Sequence, residues 1–335
     1  MSRILFVCAA GASVGGGHVM RSLTLARALE QSGAACAFLT SPEVAAVLDA
    51  FAPDMARAAD DAGFDAMVFD HYGLVADDHR ALAKGRPALA LDDLADRPLD
   101  ADLVLDSGPA RKAEDYAGLI PSQAQLLLGP AYAPVRPAFA ALRETALARR
   151  AERPPVRRIL VSLGLTDVGG ITGRVVALLR PLVGEAVLDV VVGGGASSLP
   201  ALRALAAQDP RLVLHVDAQD MPRLTLEADL AVGAGGSTTW ERCVLALPTL
   251  TLILADNQAP AARALESAGV APCLDVATPD FEAAFAREVS DLPRNADRRA
   301  ALSAASAQVC DGLGARRAAE AFLEIIRRRL PAAPR

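Results

Sequence analysis

Two glycine-rich turns, one in each half of the chain, combine residue types suited to binding a phosphate. The first turn consists of Gly15, Gly16 and Gly17 and is followed directly by His18, and the second occupies residues 233–238. A glycine turn that opens a helix offers bare backbone N–H groups and the positive end of the helix dipole to an anion. The two turns therefore predict a phosphate-containing ligand held between two domains, with a general base beside it.

The second turn carries the stronger signal. The segment that ends at Glu241 reads Gly-Ala-Gly-Gly-Ser-Thr-Thr-Trp-Glu. Gly235 and Gly236 let the backbone approach an anion, and Ser237 and Thr238 add hydroxyl donors. Glu241, one turn further on, can accept two hydrogen bonds from a ribose diol. The combination suits a nucleoside diphosphate; the alternative, a capped helix with an ion-paired Glu241, leaves the glycines and hydroxyls unexplained.

His18 adds a candidate base to the first turn. It would lie in the first helical turn, where the dipole disfavours the imidazolium while a nearby diphosphate favours it. A neutral imidazole that accepts a proton is compatible with both effects. The alternative is a helix-start histidine bonded to a loop carbonyl. The turn lacks the lysine of a P-loop, and no acidic residue follows the next apolar run to bind a ribose, so NAD is disfavoured.

Acidic residues follow two other apolar runs of the first half. Asp70-His71-Tyr72-Gly73 comes after one run, and Asp92-Asp93 comes after the next. Two interpretations are open for the first group: a catalytic role, or Asp70 capping the turn while the Tyr72 hydroxyl binds backbone. A structural cap is favoured for Asp92-Asp93.

The candidate residues must be placed at the ends of strands, and both halves of the chain have a pattern that predicts such strands. Short apolar runs alternate with helical periodicity, which predicts βαβ units and parallel sheets. The predicted strands comprise residues 4–7, 36–40, 66–70, 88–92, 159–163, 188–192, 212–216, 230–232 and 249–254, and the predicted helices include residues 18–31 and 221–227. The fold class is therefore α/β, with two doubly wound parallel-sheet domains.

The domain boundary is expected in the polar segment 149–158, whose double proline cannot extend a helix. The chain of 335 residues exceeds the usual size of one domain. We predict an N-terminal domain at 1–150, a C-terminal domain at 151–315, and a final helix and tail at 316–335 that packs back on the N-terminal domain.

Composition excludes several classes of protein. The formal net charge is −6, which argues against a general nucleic-acid binder. The five cysteines are scattered, and no histidine and carboxylate spacing indicates a metal site. A leader segment and a long apolar stretch are both missing. We expect a cytoplasmic, monomeric protein that needs no metal or cofactor and whose partner is a small molecule.

With these motifs in place, the chain resembles the GT-B superfamily, and within it the UDP-2,4-diacetamido-2,4,6-trideoxy-β-L-altropyranose hydrolases of pseudaminic acid biosynthesis. The matching segments follow one another over nearly the whole chain: residues 15–21, 25–26, 70–73, 77–78, 91–93, 115–119, 129–132 and 233–258. The resemblance implies two Rossmann-like domains that face each other across a cleft, with UDP on the C-terminal domain.

The resemblance also implies roles for individual residues. His18 would be the base, and Tyr72 would orient sugar or water. The residues implied to bind substrate or UDP are Gly15, Gly16, Gly17, Arg21, Asp70, Thr166, Asp167, Gly235, Gly236, Ser237, Thr238, Glu241, Asn257 and Gln258. One departure is Leu165, which stands where the family has a glycine in a loop that approaches the ligand.

The implied reaction is hydrolysis of the UDP-sugar by direct attack of water on the anomeric carbon, with inversion and release of UDP. It would serve pseudaminic acid biosynthesis and thereby flagellin glycosylation. Two alternatives stay open: a GT-B glycosyltransferase, in which an acceptor hydroxyl replaces water, and a non-catalytic UDP-sugar-binding module. The exact hexose is not fixed by the sequence.

Overall fold

The computed structural model describes residues 1–11 and 15–329, so residues 12–14, before the first glycine turn, lie outside the description. The chain divides into two compact units. Unit 1 comprises Met1–Arg136 together with the chain from Leu313 onward, and unit 2 comprises Pro137–Gly312.

Unit 1 contains a seven-stranded parallel sheet in the order β3-β2-β1-β4-β5-β6-β7. Its strands are β1 (Arg3–Cys8), β2 (Ala35–Leu39), β3 (Ala56–Ala58), β4 (Ala66–Asp70), β5 (Ala88–Leu91), β6 (Leu103–Asp106) and β7 (Gln125–Leu128). Its first helices are α1 (Gly17–Gln31), α2 (Pro42–Phe51) and α3 (Ala76–Ala83), and it has short 3-10 turns at Ala113–Tyr116 and Pro130–Tyr132. The four strands predicted in this half are confirmed.

Unit 2 contains a six-stranded parallel sheet in the order β10-β9-β8-β11-β12-β13. Its strands are β8 (Arg158–Ser162), β9 (Val187–Val192), β10 (Leu212–Val216), β11 (Leu230–Ala234), β12 (Thr249–Ile253) and β13 (Cys273–Asp275). Its helices are α4 (Pro137–Ala151), α5 (Ile171–Leu179), α6 (Leu199–Ala206), α7 (Met221–Glu227), α8 (Thr238–Val244), α9 (Ala259–Ser267), α10 (Phe281–Asp291) and α11 (Ala296–Ala307), with 3-10 turns at Val168–Gly170 and Asp256–Gln258. The five predicted strands of this half are confirmed.

Helix α4 lies in unit 2, although the sequence pattern assigned it to the first domain. Arg150, near its end, is buried and donates to the carbonyl oxygens of Ala228 (2.7 Å) and Thr225 (3.1 Å). Arg143 donates to the carbonyl oxygen of Val244 (2.7 Å). These bonds attach α4 to α7 and α8, so unit 2 begins before the polar segment that predicted the boundary.

The last helix, α12 (Gly314–Arg329), packs in the core of unit 1. Its Phe322 and Ile326 are buried with Ile4 and Phe6 of β1 on one face of the sheet. Leu5 and its alternate neighbours are buried on the other face. Burial on both faces explains why the central strands are continuous apolar runs. No helix within residues 1–11 and 15–329 is long and apolar enough to span a membrane.

Each sheet has one position where the strand order reverses. In unit 1 the reversal falls between β1 and β4, and in unit 2 it falls between β8 and β11. The loops that follow these strands lead away in opposite directions, and ligands of open α/β sheets bind in the crevice that results at the carboxyl ends. The residues predicted to be functional lie mainly in the loops after these four strands.

Candidate functional site

The reversal point of unit 1 brings together residues from α1 and from the end of β4. His18 is the second residue of α1, which follows β1, and Asp70 is the last residue of β4. Strands β1 and β4 are paired with Cys8 opposite Asp70, so the start of α1 lies beside the end of β4. We call His18, Arg21, Ser22, Asp70 and Tyr72 the His18 cluster.

The imidazole of His18 is held in one orientation by two acceptors on Asp70. Its Nδ1 lies 3.1 Å from the Asp70 carbonyl oxygen and 3.0 Å from the carboxylate Oδ1. Both atoms accept hydrogen bonds, so Nδ1 carries a proton and the lone pair of the neutral ring is on Nε2. Both sequence interpretations therefore apply: the ring is bonded to a carbonyl, and that bond produces the tautomer a general base needs.

Asp70 is completely buried and its carboxylate is bonded on all sides. Arg21 donates to Oδ1 (2.6 Å) and Oδ2 (2.8 Å), and the Ser22 hydroxyl donates to Oδ2 (3.0 Å). Burial alone would raise the pKa of Asp70, but the charges of Arg21 and His18 outweigh it and hold that pKa well below its ordinary value. No oxygen of this carboxylate is exposed, and its bonds position His18 and Arg21; the contact of Asp70 with substrate stays a prediction.

Arg21, also predicted to contact substrate, is bonded to protein carboxylates. Its third guanidinium nitrogen, Nη1, donates to Asp93 Oδ2 (2.9 Å). Burial would lower the pKa of Arg21, but Asp70 and Asp93 raise it well above its ordinary value. The side chain is 12% exposed, so a small part of it faces solvent.

Tyr72 lies beside the base. Its ring meets that of His18 edge-on, with centroids 4.4 Å apart and an interplanar angle of 82°. The guanidinium carbon of Arg97 lies 5.8 Å from the centre of the Tyr72 ring. Arg97 also donates to the Leu74 carbonyl (3.1 Å) and to Asp92 Oδ1 (2.9 Å), which fixes the loop that carries Tyr72. The structure thus brings together the two residues predicted to be catalytic.

The remaining acids at this edge are structural. Asp92 accepts from the Ala95 N–H (2.8 Å), which confirms its interpretation as a cap. The Tyr116 hydroxyl lies between Asp92 Oδ2 (2.9 Å) and Asp106 Oδ2 (2.8 Å). Arg111 donates to Asp106 (2.6 Å). Sequence reasoning missed Asp106, whose signal was an aspartate ending an apolar run.

The first glycine turn is described from Gly15 onward. Gly15 has a φ of +78°, which favours glycine, and its N–H donates to the Gly11 carbonyl (2.7 Å). Gly16 precedes α1, and a Cβ added at Gly17 would meet no atom of the described residues within 4 Å. The Gly15 N–H, by contrast, is used within the turn.

In unit 2, the glycine turn 233–238 joins β11 to α8. Residues 235–238 are partly exposed while the residues on both sides are buried. The Gly235 N–H donates to the Leu252 carbonyl (3.0 Å), and a Cβ at Gly235 would lie 3.3 Å from the Cβ of Gln258. At Gly236 an added Cβ would meet no atom of the described residues within 4 Å. The turn thus has an open side at Gly236 and lies close to Gln258.

The other predicted nucleotide contacts differ in exposure. Ser237, Thr238 and Glu241 are partly exposed at the start of α8, and Asn257 is exposed in the loop after β12. The Gln258 Oε1 accepts from the Leu254 N–H (3.1 Å), so this oxygen already has a donor.

The loop after β8 contains a second buried carboxylate. Asp167 is buried, and its carboxylate accepts from the backbone N–H groups of Thr172 (2.7 Å) and Ser198 (2.9 Å) and from the Ser198 hydroxyl. Burial raises its pKa, and these donors more than compensate, so the pKa of Asp167 is lowered. Asp167 therefore shapes the loop, and Thr166 beside it is partly exposed; the contact of either residue with a ligand stays a prediction.

Leu165, the departure from the family pattern, packs its backbone closely against Gly193. Its carbonyl accepts from the Gly193 N–H (3.1 Å), and a Cβ at Gly193 would lie 2.4 Å from that oxygen. The loop therefore depends on a glycine at 193.

Comparison with solved structures defines the fold class. MurG of Acinetobacter baumannii superposes with a TM-score of 0.67 at 18% identity, covering 97% of this chain and 100% of that chain. The spinosyn rhamnosyltransferase SpnG complexed with thymidine diphosphate gives 0.65 at 18% identity, covering 97% and 99%. The fold is GT-B, built from two Rossmann-like parallel-sheet domains, and this prediction is confirmed.

No protein-family model matches the chain. It is 22% identical over 276 residues to the UDP-2,4-diacetamido-2,4,6-trideoxy-β-L-altropyranose hydrolase of Campylobacter jejuni. The aligned part is 80% of this chain and 97% of that relative. The resemblance inferred from the motifs is therefore confirmed as a similarity over most of both chains.

Proposed function

We propose that this protein hydrolyses a UDP-linked deoxy-diacetamido sugar, UDP-2,4-diacetamido-2,4,6-trideoxy-β-L-altropyranose, to UDP and the free sugar. The observation that carries the proposal is the pair of acceptors on Asp70 that fixes the His18 proton on Nδ1. The name of the C. jejuni relative supplies the substrate and the reaction.

In the proposed reaction, Nε2 of His18 removes a proton from water as the water oxygen bonds to the anomeric carbon. The C–O bond to the β-phosphate breaks, and its electron pair leaves with UDP. The imidazolium that forms is stabilised by the ionised Asp70, whose distance to Nδ1 is 3.0 Å. Tyr72, in contact with the His18 ring, would orient the water or the sugar. A single displacement predicts inversion at the anomeric carbon.

Unit 2 would hold the nucleotide. In this proposal the diphosphate binds at Gly235, Gly236, Ser237 and Thr238, whose partial exposure and open side support it. Glu241 would bind the ribose, while Thr166, Asn257 and Gln258 would lie near the diphosphate or sugar.

A glycosyltransferase is the second candidate, because MurG and SpnG have the same fold and SpnG is a rhamnosyltransferase. The same base would then deprotonate an acceptor hydroxyl instead of water. The two reactions differ in one measurable respect: only hydrolysis releases UDP and free sugar when no acceptor is present.

The test is incubation of the protein with UDP-linked diacetamido sugars, with UDP release and the first anomer followed by NMR. We expect UDP release without an acceptor and the inverted anomer first. His18→Asn should lower turnover by about 10²- to 10⁴-fold, the usual contribution of a general base. Calorimetric affinity for UDP should not change, since His18 lies in unit 1.

His79→Asn is the matched control, because His79 is a buried histidine of the same unit outside the His18 cluster. It should leave turnover near that of the wild type at neutral pH. Wild-type turnover in folded His18→Asn would remove the base from the proposal, and absence of UDP release without an acceptor would favour the transferase.

A further inference from the structure

Arg242 is a buried cation that touches the backbone and hydroxyls of the glycine turn. The side chain is 4% exposed. Its Nη2 donates to the Ala234 carbonyl (2.7 Å) and to the Thr239 hydroxyl (3.1 Å), and its Nη1 donates to the Thr238 hydroxyl (3.0 Å). Its Nε is buried and has no hydrogen-bond partner within the described part of the chain.

The charge of Arg242 is not balanced by an acid. Its hydrogen bonds go to neutral oxygens, and among residues 1–11 and 15–329 no carboxylate forms an ion pair with it. Burial lowers the pKa of Arg242 to about 10, and Cys243 and Glu241 offset this only in part. A buried charge of this kind is costly unless something pairs with it.

A second buried arginine shows what a structural role looks like in this unit. Arg150 also lacks an ion pair among the described residues, but it donates to the carbonyls of Thr225, Leu226 and Ala228. These carbonyls end α7, where the helix dipole is negative and a cation is stabilised. Arg242 lies in the last turn of α8, but its guanidinium reaches back to Ala234, Thr238 and Thr239. These residues are at the start of the helix, where the dipole is positive and a cation is not stabilised.

The glycine turn is shaped around this guanidinium. A Cβ at Gly233 would lie 2.5 Å from the guanidinium carbon of Arg242, so the contact requires glycine there. The Thr238 hydroxyl accepts from Arg242, which directs its own proton away from the guanidinium. Thr238 is partly exposed, so this O–H is available on the open side of the turn.

We propose that Arg242 is a positioning residue for a diphosphate: its unpaired charge is balanced by the anion in the turn, and it fixes the Thr238 hydroxyl as a donor to that anion. The inference rests on the proposed function in taking a nucleoside diphosphate as the ligand. It adds a residue that the sequence motifs did not single out.

The test compares Arg242→Met with the wild type in binding to UDP and to uridine, which lacks the phosphates. We expect the Kd for UDP to rise about tenfold or more, since a charge-assisted interaction is lost. The Kd for uridine, measured by NMR, should not change. Added salt should weaken UDP binding more in the wild type than in the variant. Thermal stability should stay equal or rise, because an apolar side chain of similar size replaces an unpaired buried charge.

Arg150→Met is the matched control. It should lower the thermal midpoint, because the α7 carbonyls lose their donor, while the ratio of UDP to uridine affinity stays that of the wild type. Arg242→Lys and Arg242→Gln replace the methionine variant if that protein does not fold, since they differ in charge while both can donate hydrogen bonds; lysine should then bind UDP more tightly than glutamine.

Three results would overturn the inference. One is equal UDP affinity in the wild type and the charge-free variant. Another is a parallel loss of UDP and uridine binding, which indicates a structural role alone. The third is failure of the wild type itself to bind UDP, which would overturn the proposed function as well. The first two results overturn this inference alone, so the two failures are distinguishable.

Discussion

The reversal points of the two sheets differ in whether their buried arginine is ion-paired. In unit 1, Asp70 and Arg21 are oppositely charged and bonded to each other, and Arg21 is bonded to Asp93 as well. In unit 2, the glycine turn offers N–H and hydroxyl groups, and Arg242 beneath it has no ion-pair partner among the described residues. In the first site the buried cation is ion-paired with carboxylates, whereas in the second the buried cation has no such pair within the described part of the chain.

This difference teaches what each site can bind. A buried cation that is already paired with carboxylates gains little from a further anion. A buried cation without such a pair is stabilised when an anion binds beside it, since the anion lowers the cost of the buried charge. The proposed base and the proposed anion site therefore lie in separate units with different electrostatic surroundings.

The largest effect should come from the two buried aspartates, which sharpen the comparison directly. Asp70→Asn leaves Arg21 with a weakened partner in a buried position, so the free energy of unfolding should fall by about 3–5 kcal/mol. Asp167→Asn, in unit 2, removes a carboxylate whose donors are neutral, and the expected loss is about 1–3 kcal/mol. Denaturant unfolding of both variants measures the difference.

Asp70→Asn should also lower turnover in whatever fraction stays folded, because an amide can donate to Nδ1 and favour the other tautomer of His18. Asp167→Asn should act on UDP affinity through the shape of its loop. Equal losses of stability in the two variants would contradict the view that only unit 1 depends on paired charges.

The sequence predicted the longer strands well and missed four short ones. Strands such as β4 are buried along their whole length, and their apolar runs are unambiguous. The missed strands β3, β6, β7 and β13 are only three or four residues long, and β3 (Ala-Arg-Ala) carries no apolar pattern. The end of unit 1 was misplaced for a related reason: the polar segment after α4 resembles a linker, but the bonds of Arg143 and Arg150 attach α4 to unit 2.

The sequence brought the candidate residues to one sheet edge but did not predict their bonding. His18 and Asp70 are 52 residues apart, and the rule that strand ends gather at one edge of a sheet brought both to the same place. Whether an aspartate at that edge faces a ligand or the interior depends on neighbouring donors, such as Ser198 for Asp167. Arg242 was missed because a buried cation on a short helix resembles an ordinary surface arginine in sequence.

Two tyrosines of unit 1 provide the next prediction. Tyr116→Phe removes a hydroxyl shared by two buried carboxylates, so the free energy of unfolding should fall by about 2–3 kcal/mol. Tyr72→Phe keeps the ring against His18 and should lower turnover about tenfold through the lost hydroxyl, with little effect on unfolding. Thermal scans measure the loss of stability, and UDP release measures the loss of turnover. A Tyr72→Phe variant that is unstable but fully active would contradict the role of the Tyr72 hydroxyl in turnover.

The smallest effect concerns His79, a buried histidine of unit 1 without the carboxylate partner that His18 has. Its ring stacks on Phe69 at 4.2 Å, and its Nε2 has no partner among the residues described. Burial, together with the charge of Arg97, lowers the pKa of His79 to about 4, and Asp100 and Asp78 offset this only in part.

Because the folded chain resists protonation of His79 while the unfolded chain takes up a proton near pH 6.5, stability should fall as the pH drops from 7 toward 4. Between pH 7 and pH 5 the wild type should lose about 1–2 kcal/mol more than His79→Phe, which keeps the stacking and cannot titrate. At pH 8 neither the imidazole of the wild type nor the phenyl ring of the variant is charged. The difference in free energy of unfolding at that pH therefore serves as the reference for the lower pH values. Denaturant unfolding at pH 8, 7, 6 and 5 measures the free energy of unfolding of both proteins. Equal dependence on pH would contradict the prediction, because it would show that the buried His79 takes up a proton without a carboxylate partner.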